Sequence, residues 1–484
     1  MRIALRLPGR LTLRWHADLI DRLSAQGHEI DVLPGTGPDI LPPELRLLAW
    51  FERHVFGRVL ESLDPTAAPE AAAPGGHNLV VDLTGSDDLG DGTPVLQPRF
   101  DGSPDWNHFF DALLRERPPT IEIVRGPERL VAQRGEAAVL RPALLSTSLD
   151  AVLARTAVLI AAAVRDAAGS GPAVPFRAPP DAKPGRPLAF AARHLAQGAM
   201  RKLRQRVERP AHWRIGWRPV ATGDGVLDRL AWPADGYRWL DTGAGDYAAD
   251  PFVLEHEGVV HVFCEVFAYA DPIGKIAVFT IGPDGTPGTL RTVLERPYHL
   301  SYPMVFRRDG QIWMIPETYQ NRTVELYRAE RFPDVWTLEA VLFQDVELSD
   351  VTLAEHDGRL WLFASDSARG ATSWDCLSLF MAQDIRGPWR PHPANPVLVD
   401  ARAARPAGFM ERRGGALLRP AQDCRAGYGA GISVCRVDRL DPEGYAQTVL
   451  ATLRPMGARD TGAHTVNVGG GFEVIDHCGP MRRV

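Results

Sequence analysis

The stretch ADPFVLEHEGVVHVFCEVF, residues 249–267, opens on an acid, Asp250, and alternates apolar and polar side chains. It turns at Glu257-Gly258, alternates again and closes on a second acid, Glu265. Period-two alternation on both sides of a glycine turn is the pattern of a β-hairpin, here with a carboxylate at each open end. Four further stretches repeat it: SYPMVFRRDGQIWMIPETY from Ser301, SDVTLAEHDGRLWLFASDS from Ser349, ARPAGFMERRGGALLRPAQDC from Ala404 and GAHTVNVGGGFEVIDHCG from Gly462. The openings at 250, 302, 350, 405 and 464 recur every ~50 residues, the period of a four-stranded propeller blade. Further strand runs, IAVFTIG, VELYRAE and CLSLFMA, lie between copies. Five copies predict five blades. The last copy leaves too little chain for its outer strands, and HWRIGWRPV, residues 212–220, is placed to supply one and close the ring.

In a propeller the first strand of each blade lines the central channel. The residue opening that strand and the residue ending its antiparallel partner share one rim. Asp250, Glu265, Tyr302, Glu317, Asp350, Arg405, Gln422, Asp423, His464 and Asp476 are therefore expected around one mouth. The copies share their apolar positions, because blades stack alike, and diverge at the rim, as a site drawing different groups from different blades requires. Any single acid serves equally well as a turn cap. Two carboxylates across a sugar-sized gap equip glycosidic chemistry, one ionised as base or nucleophile and one protonated as acid. A third tunes the pair by like-charge repulsion. Asp250, Glu317 and Asp350 are the catalytic candidates. Glu265, Tyr302, Arg405, Gln422, Asp423 and His464 are the candidates for substrate binding. No metal site and no cofactor is read. His256 and His356 precede equivalent turns and read as exposed hairpin residues, and Cys424 reads as a buried strand cysteine.

Residues 1–170 have a different character. RIALRL, HEIDVLPG, NLVVDLTGS and TIEIVRG read as strands, and WHADLIDRLSAQG and LDAVLARTAVLIAAAVRDA as helices. Strands separated by helices predict a parallel α/β sheet. Residues 171–212 read as a Pro-rich linker followed by a basic helix over 190–209 with Arg201, Lys202, Arg204, Arg206 and Arg209. Its apolar face, Leu195, Met200, Leu203 and Val207, suits either packing between domains or contact with an acidic membrane surface. Residues 213–484 form the propeller.

Composition bounds the rest. A chain of 484 residues exceeds one ordinary core. Charged residues at 24% and apolar ones at 45% fit a soluble globular protein. A net charge of −6 supplies no field for nucleic acid. The start lacks a signal-peptide h-region. The longest apolar run, AVLARTAVLIAAAVRDAAG, is interrupted by Arg155 and Arg165 and is not expected to span a bilayer. Five scattered cysteines without a C-x-x-C pair read as reduced thiols of a cytoplasmic protein.

ADPFV and SDVTL resemble the acid motifs of blades one and three in five-bladed glycoside hydrolases of the family 43 and 32 type. The resemblance implies that Asp250 is the base or nucleophile and Asp350 the acid that orients and tunes. The hydrolase general acid is a blade-four Glu, and here that blade carries Gln422-Asp423, which favours transfer over hydrolysis. The runs HLSYPMVFRRDGQIWMIPE, SDVTLAEHDGRLWLFAS, GPWRPHPANPV, ARPAG and RPAQDC resemble the N-terminal propeller-type domain of glucosamine inositolphosphorylceramide transferases. In the plant members the glycosyltransferase domain is a separate segment, so the propeller's own activity has to be read from its residues. MRIAL and NLVVDLTGS resemble the Rossmann-like N-terminal domain of folate-dependent formyltransferases. That family needs an Asn-His-Asp set, and GTPVLQPRFDG, where its His would stand, has none. Formyl transfer is not expected. These resemblances imply glycosyl transfer in cell-surface polysaccharide or glycolipid assembly, on a carbohydrate or glycolipid substrate with a nucleotide-sugar as candidate donor. The alternatives are a non-catalytic sugar-binding module and a hydrolase using Asp250 and Glu317.

Overall fold

The computed structural model describes residues 1–35, 40–67, 76–86, 92–126, 128–166, 186–234, 236–243, 245–367 and 371–482. The expected Pro-rich linker lies largely outside them. The chain divides into two compact units, Met1–Met200 with Ala368–Thr372, and Arg201–Ser367 with Ser373–Val484.

The first unit is built on a six-stranded sheet in the order Glu29–Leu33, Arg2–Arg6, Leu79–Asp82, Val95–Phe100, Thr120–Arg125, Leu130–Glu136. The first four strands are mutually parallel and the last two join antiparallel. The sheet is thus mixed, where an all-parallel one was expected. The last two strands are linked by a tight turn through Gly126 and Arg129, both at positive φ, and a parallel pair would need a long crossover instead. The helix Leu145–Arg165 is long and apolar enough to cross a membrane, with a mean hydropathy of 1.6, against the expectation drawn from its arginines. Its most apolar window is 83% buried in the protein, and Arg155 is itself buried. The helix starts at Leu145, so its apolar stretch extends N-terminally of the run read from sequence.

The second unit is a five-bladed propeller. Blade one is Asp246–His256, Val259–Ala268, Asp271–Ile281 and Arg291–Leu294. Blade two is Ser301–Arg308, Gln311–Thr318, Thr323–Arg331 and Val335–Gln344. Blade three begins at Leu348–His356 and blade four at Glu411–Arg413. Blade five pairs Val466–Gly469 and Phe472–Arg482 with Glu208–Pro219 and Arg238–Trp239. The ring therefore closes with the early segment read for that purpose. Successive blades are glued by apolar clusters. Phe263, Val305 and Met314 join blades one and two, and Trp313, Ile315 and Leu362 join two and three. Trp361, Phe363 and Leu417 follow, then Leu418, Ile432 and Val466, and the set ends with Ile215, Trp217, Val253 and Val262 across the closure. Each such large side chain contributes about 1.5–3 kcal/mol by burial. The same stacking explains why apolar positions repeat from copy to copy. His256 and His356 each accept from an arginine of the following blade, Arg307 at 2.9 Å and Arg412 at 2.8 Å.

Candidate functional site

Asp250, Tyr302 and Asp350, at equivalent places in blades one to three, have φ of 54°, 44° and 51°. At each the pairing with the second strand slips. Each is thus a β-bulge with a left-handed residue, a device that re-aims a side chain at a strand end. Left-handed backbone at a non-glycine residue costs on the order of 1–3 kcal/mol and has to be held in place. Here a carboxylate from the preceding blade holds it. The Asp250 N–H donates to Asp476 Oδ2 at 3.0 Å, Tyr302 N–H to Asp250 Oδ2 at 3.2 Å and Asp350 N–H to Glu317 Oε2 at 2.9 Å.

Blades four and five contribute Arg405 and His464, which stand before their first strands, and Gln422, which ends the second strand of blade four. Arg405 donates through Nε to Asp350 Oδ2 at 2.6 Å and through Nη1 to Ser373 Oγ at 2.8 Å, with Nη2 3.6 Å from Glu317 Oε2. Gln422 Nε2 donates to the same Asp350 oxygen at 2.7 Å and to the Pro406 carbonyl at 3.0 Å. An amide therefore occupies the place where a blade-four acid was sought, and it serves Asp350 as a donor. His464 Nδ1 lies 2.6 Å from Asp476 Oδ2 and 3.4 Å from Asp250 Oδ1, while Thr465 Oγ1 donates to Asp250 Oδ1 at 2.9 Å. Glu265, at the position in blade one that Glu317 holds in blade two, meets His299 Nε2 at 3.2 Å. The Gly274 N–H donates to His299 Nδ1, which leaves Nε2 to carry the proton.

Five carboxyls, Asp250, Glu265, Glu317, Asp350 and Asp476, thus face two cationic groups, Arg405 and His464, and one neutral histidine, His299, that donates to Glu265. A buried excess of negative charge is costly, and the structure responds by holding protons. Burial pushes Asp250 up to about 7, opposed by His464 and reinforced by Asp476 and Glu265. Burial likewise raises Asp350 well above the carboxylate range against the pull of Arg405. His464 is raised to about 9, because Asp476 and Asp250 outweigh the opposing effect of burial. Asp476 is held low by His464 and by backbone N–H donors, which overcome its own burial. Near neutral pH Asp250 is poised between its protonated and ionised forms.

The structure gathers Asp250, Glu265, Glu317, Asp350, Arg405, Gln422 and His464 into this network. Tyr302 joins only through its backbone. Its ring packs on Phe252, and its hydroxyl bonds Thr352 Oγ1 and the Gly408 N–H inside the buried core. Asp423 stays out, in a bidentate pair with Arg425 two residues on. Cys424 is buried, and burial pushes its thiol up to about 12, which makes it a poor nucleophile.

Aromatic residues not singled out from sequence border the network. Trp213 stacks on His464 with centroids 3.7 Å apart, and Tyr428 meets His464 edge-on at 5.4 Å. Trp374 lies 5.5 Å from Tyr428, and the Arg405 guanidinium sits 5.1 Å over the Tyr428 ring. Tyr428 keeps 38% of its surface exposed. Partly exposed aromatic residues beside fixed polar groups are the means by which proteins hold sugars. No local pattern marked these residues, since Tyr428 sits in a glycine-rich turn and Trp213 enters through ring closure. Asp250, His464 and Asp476 also bring three potential ligand atoms within 4.8 Å of one another. His464 Nδ1 carries the proton it shares with Asp476, so a cation there would have to displace it.

Residues 240–461 match the family model described as Glucosamine inositolphosphorylceramide transferase 1, N-terminal. The chain is 34% identical over 206 residues to Glucosamine inositolphosphorylceramide transferase 1 of Oryza sativa subsp. japonica, covering 42% of this chain and 28% of that protein. The same-named protein of Arabidopsis thaliana is also 34% identical over 206 residues, covering 42% and 27%. The chain thus spans little more than a quarter of these relatives. Among solved structures, a family 117 glycoside hydrolase of Zobellia galactanivorans aligns with a TM-score of 0.36 at 13% identity, over 55% of this chain and 91% of that one. An exo-β-1,3-galactanase of Clostridium thermocellum aligns with a TM-score of 0.35 at 14% identity, over 45% and 54%.

Proposed function

We propose that this chain acts in glycosyl transfer during glycolipid assembly, with the sugar-handling site at the mouth of the propeller. The observation that carries the reading is the shared network in which the buried Asp250 meets His464, Asp476 and the Thr465 hydroxyl. The name of the relatives supports an inositolphosphorylceramide-type acceptor, and a nucleotide-sugar is the fitting donor class. In the transfer step Asp250 takes the proton of the acceptor hydroxyl. The acceptor oxygen bonds the anomeric carbon, and the bond from that carbon to the donor phosphate breaks with its electron pair leaving on the phosphate. Asp350, fixed by Arg405 and Gln422, holds Arg405 beside Glu317 and orients the rim. The exposed part of Tyr428 receives the sugar ring.

One observation favours a second reading, a sugar-binding module without chemistry of its own: both Asp250 oxygens already accept hydrogen bonds from Tyr302 and Thr465. Asp250→Asn separates the two. For a base, ligand affinity holds and product formation vanishes, because the lost interaction acts in the transition state. For a binding module, calorimetric affinity falls by about 1–3 kcal/mol. Unchanged affinity, product and melting temperature would remove Asp250 from the site. The N-terminal unit is read as a formyltransferase-like scaffold without formyl transfer, on the cytosolic side. A cavity of about 220 Å³ in it, lined by Trp15, Asp18, Asp21, Arg22, Ala154 and Ala157, presents no histidine among the described residues.

A further inference from the structure

The helix Pro187–Gln205 buries only Phe190 and His194 among its side chains. The residues read as its apolar face do not pack. Leu195 is 47% exposed, Met200 53%, Leu203 57%, and Val207 just past the helix end 60%. At 3.6 residues per turn, Leu195, Leu203 and Met200 fall in an arc roughly 140° wide, with Lys202 on one border and Arg204 on the other. Between residues 186 and 207 the sequence has six basic residues, Arg186, Arg193, Arg201, Lys202, Arg204 and Arg206, and no acidic one, in a chain whose net charge is −6. Arg201, Lys202, Arg204 and Arg206 are all exposed. The helix end flanks an open groove of about 470 Å³ lined by Leu203, Arg204, Val207, Glu208 and Arg459, in which the exposed Arg459 is paired with Glu208 at 2.7 Å, so that the uncompensated charge of the patch is that of the helix end.

We propose that this helix end and the Arg459 groove dock on an anionic phospholipid bilayer. The exposed apolar arc enters the boundary between headgroups and acyl chains, and the basic border pairs with lipid phosphates and carboxylates. An apolar stripe bordered by cations, without a compensating acid on the helix, complements a surface that is negative above and apolar beneath. A second protein would have to supply both features from its own side chains. Docking of this kind requires no particular chemistry at the propeller mouth.

The test is sedimentation of the full-length chain with vesicles of phosphatidylcholine alone or with added phosphatidylserine. The protein should pellet with the mixed vesicles and remain in solution with the neutral ones, and rising salt should release it. Lys202→Gln with Arg204→Gln should weaken binding roughly 25-fold. Leu203→Ser with Val207→Ser should weaken it roughly tenfold or more, by loss of apolar burial. Both variants alter exposed side chains, so their melting temperatures should match the parent. Absence of sedimentation with either vesicle, or equal sedimentation with both, overturns the proposal. So does a concentration-dependent dimer abolished by the Leu203/Val207 substitutions, since a second copy would then be the occupant.

Discussion

The N-terminal sheet unit and the propeller both bury carboxyl groups, and they satisfy them in opposite ways. In the sheet unit each acid has its own partners. Glu52 accepts from the Leu145 and Ser146 N–H groups at 2.7 and 2.8 Å, supplying the cap that Leu144 cannot give to the helix Leu145–Arg165. Asp150 is held by Ser62, and Asp31 by Arg2 and His77. At the propeller mouth the acids share partners: Arg405 serves Asp350 and Glu317, and His464 serves Asp476 and Asp250. An acid that ends on backbone amides is architecture, and removing it disturbs one helix end. Burial raises Glu52 and Asp150 as it raises Asp250 and Asp350, but only at the propeller mouth does a cation divided between acids lie beside them, the arrangement that suits acid–base work.

The sharpest way to break this contrast is Arg405→Met. It leaves Asp350 and Glu317 buried without their guanidinium and should cost on the order of 3–5 kcal/mol, read as a lowered melting temperature of the propeller. Arg405→Lys should recover only part, because one ammonium lacks the planar fork that meets Asp350, Glu317 and Ser373 together. A Met variant as stable as the parent would mean that the acids do not depend on a shared cation.

The second effect is in pH. Asp250 binds its proton up to about 7 in the folded chain against an ordinary 3.8, and His464 up to about 9 against 6.5. Both groups hold more protons folded than unfolded, so stability falls as pH rises. The Asp250 penalty builds between 3.8 and about 7, and the His464 contribution, full below 6.5, is lost by about 9. Asp476, held low, opposes this only at the acid end. The propeller should therefore lose a few kcal/mol between about pH 5 and pH 9 in calorimetric scans. In the sheet unit the sign reverses at His16, which burial lowers to about 3, so that its contribution grows as pH rises toward 6.5. A propeller whose stability rises over that range would refute the protonated network.

The smallest effect is expected at Glu52→Gln. The amide oxygen keeps one of the two helix N–H donors and forfeits the other, at about 1–3 kcal/mol. Ligand affinity at the propeller mouth should not move. A change there would show that the two ways of burying acids are not independent.

How much of this was legible in the chain differs between the two units. In the propeller the repeat announced five hairpins, the ring closure and most of the rim. In the sheet unit the strands Val95–Phe100 and Leu130–Glu136 escaped, and with them the mixed topology. The reason is visible in VLQPRF. Its Gln97 and Arg99 are buried and donate to the Ser86 and Gly102 carbonyls, and Pro98 sits inside a central strand. Neither hydrophobic alternation nor strand propensity marks such a segment. At the rim, Tyr302 and Asp423 occupied the right repeat positions and still fell outside the side-chain network, one because its ring turns into the core, the other because Arg425 is nearer.

The amino-acid order by itself determined the five blades, their closure and the positions of Asp250, Glu317, Asp350, Arg405 and His464. Period-two alternation and a ~50-residue repeat are properties of neighbouring residues and of copies that stack alike. Which carboxyl shares which cation was decided only in three dimensions. Asp250 meets Asp476 across 226 positions of sequence, and Arg405 reaches Asp350 across 55. Trp213 lies on His464 because the strand that carries it, Glu208–Pro219, closes the ring. Protonation follows from those distances and from burial, and neither is a property of any segment of the chain taken alone.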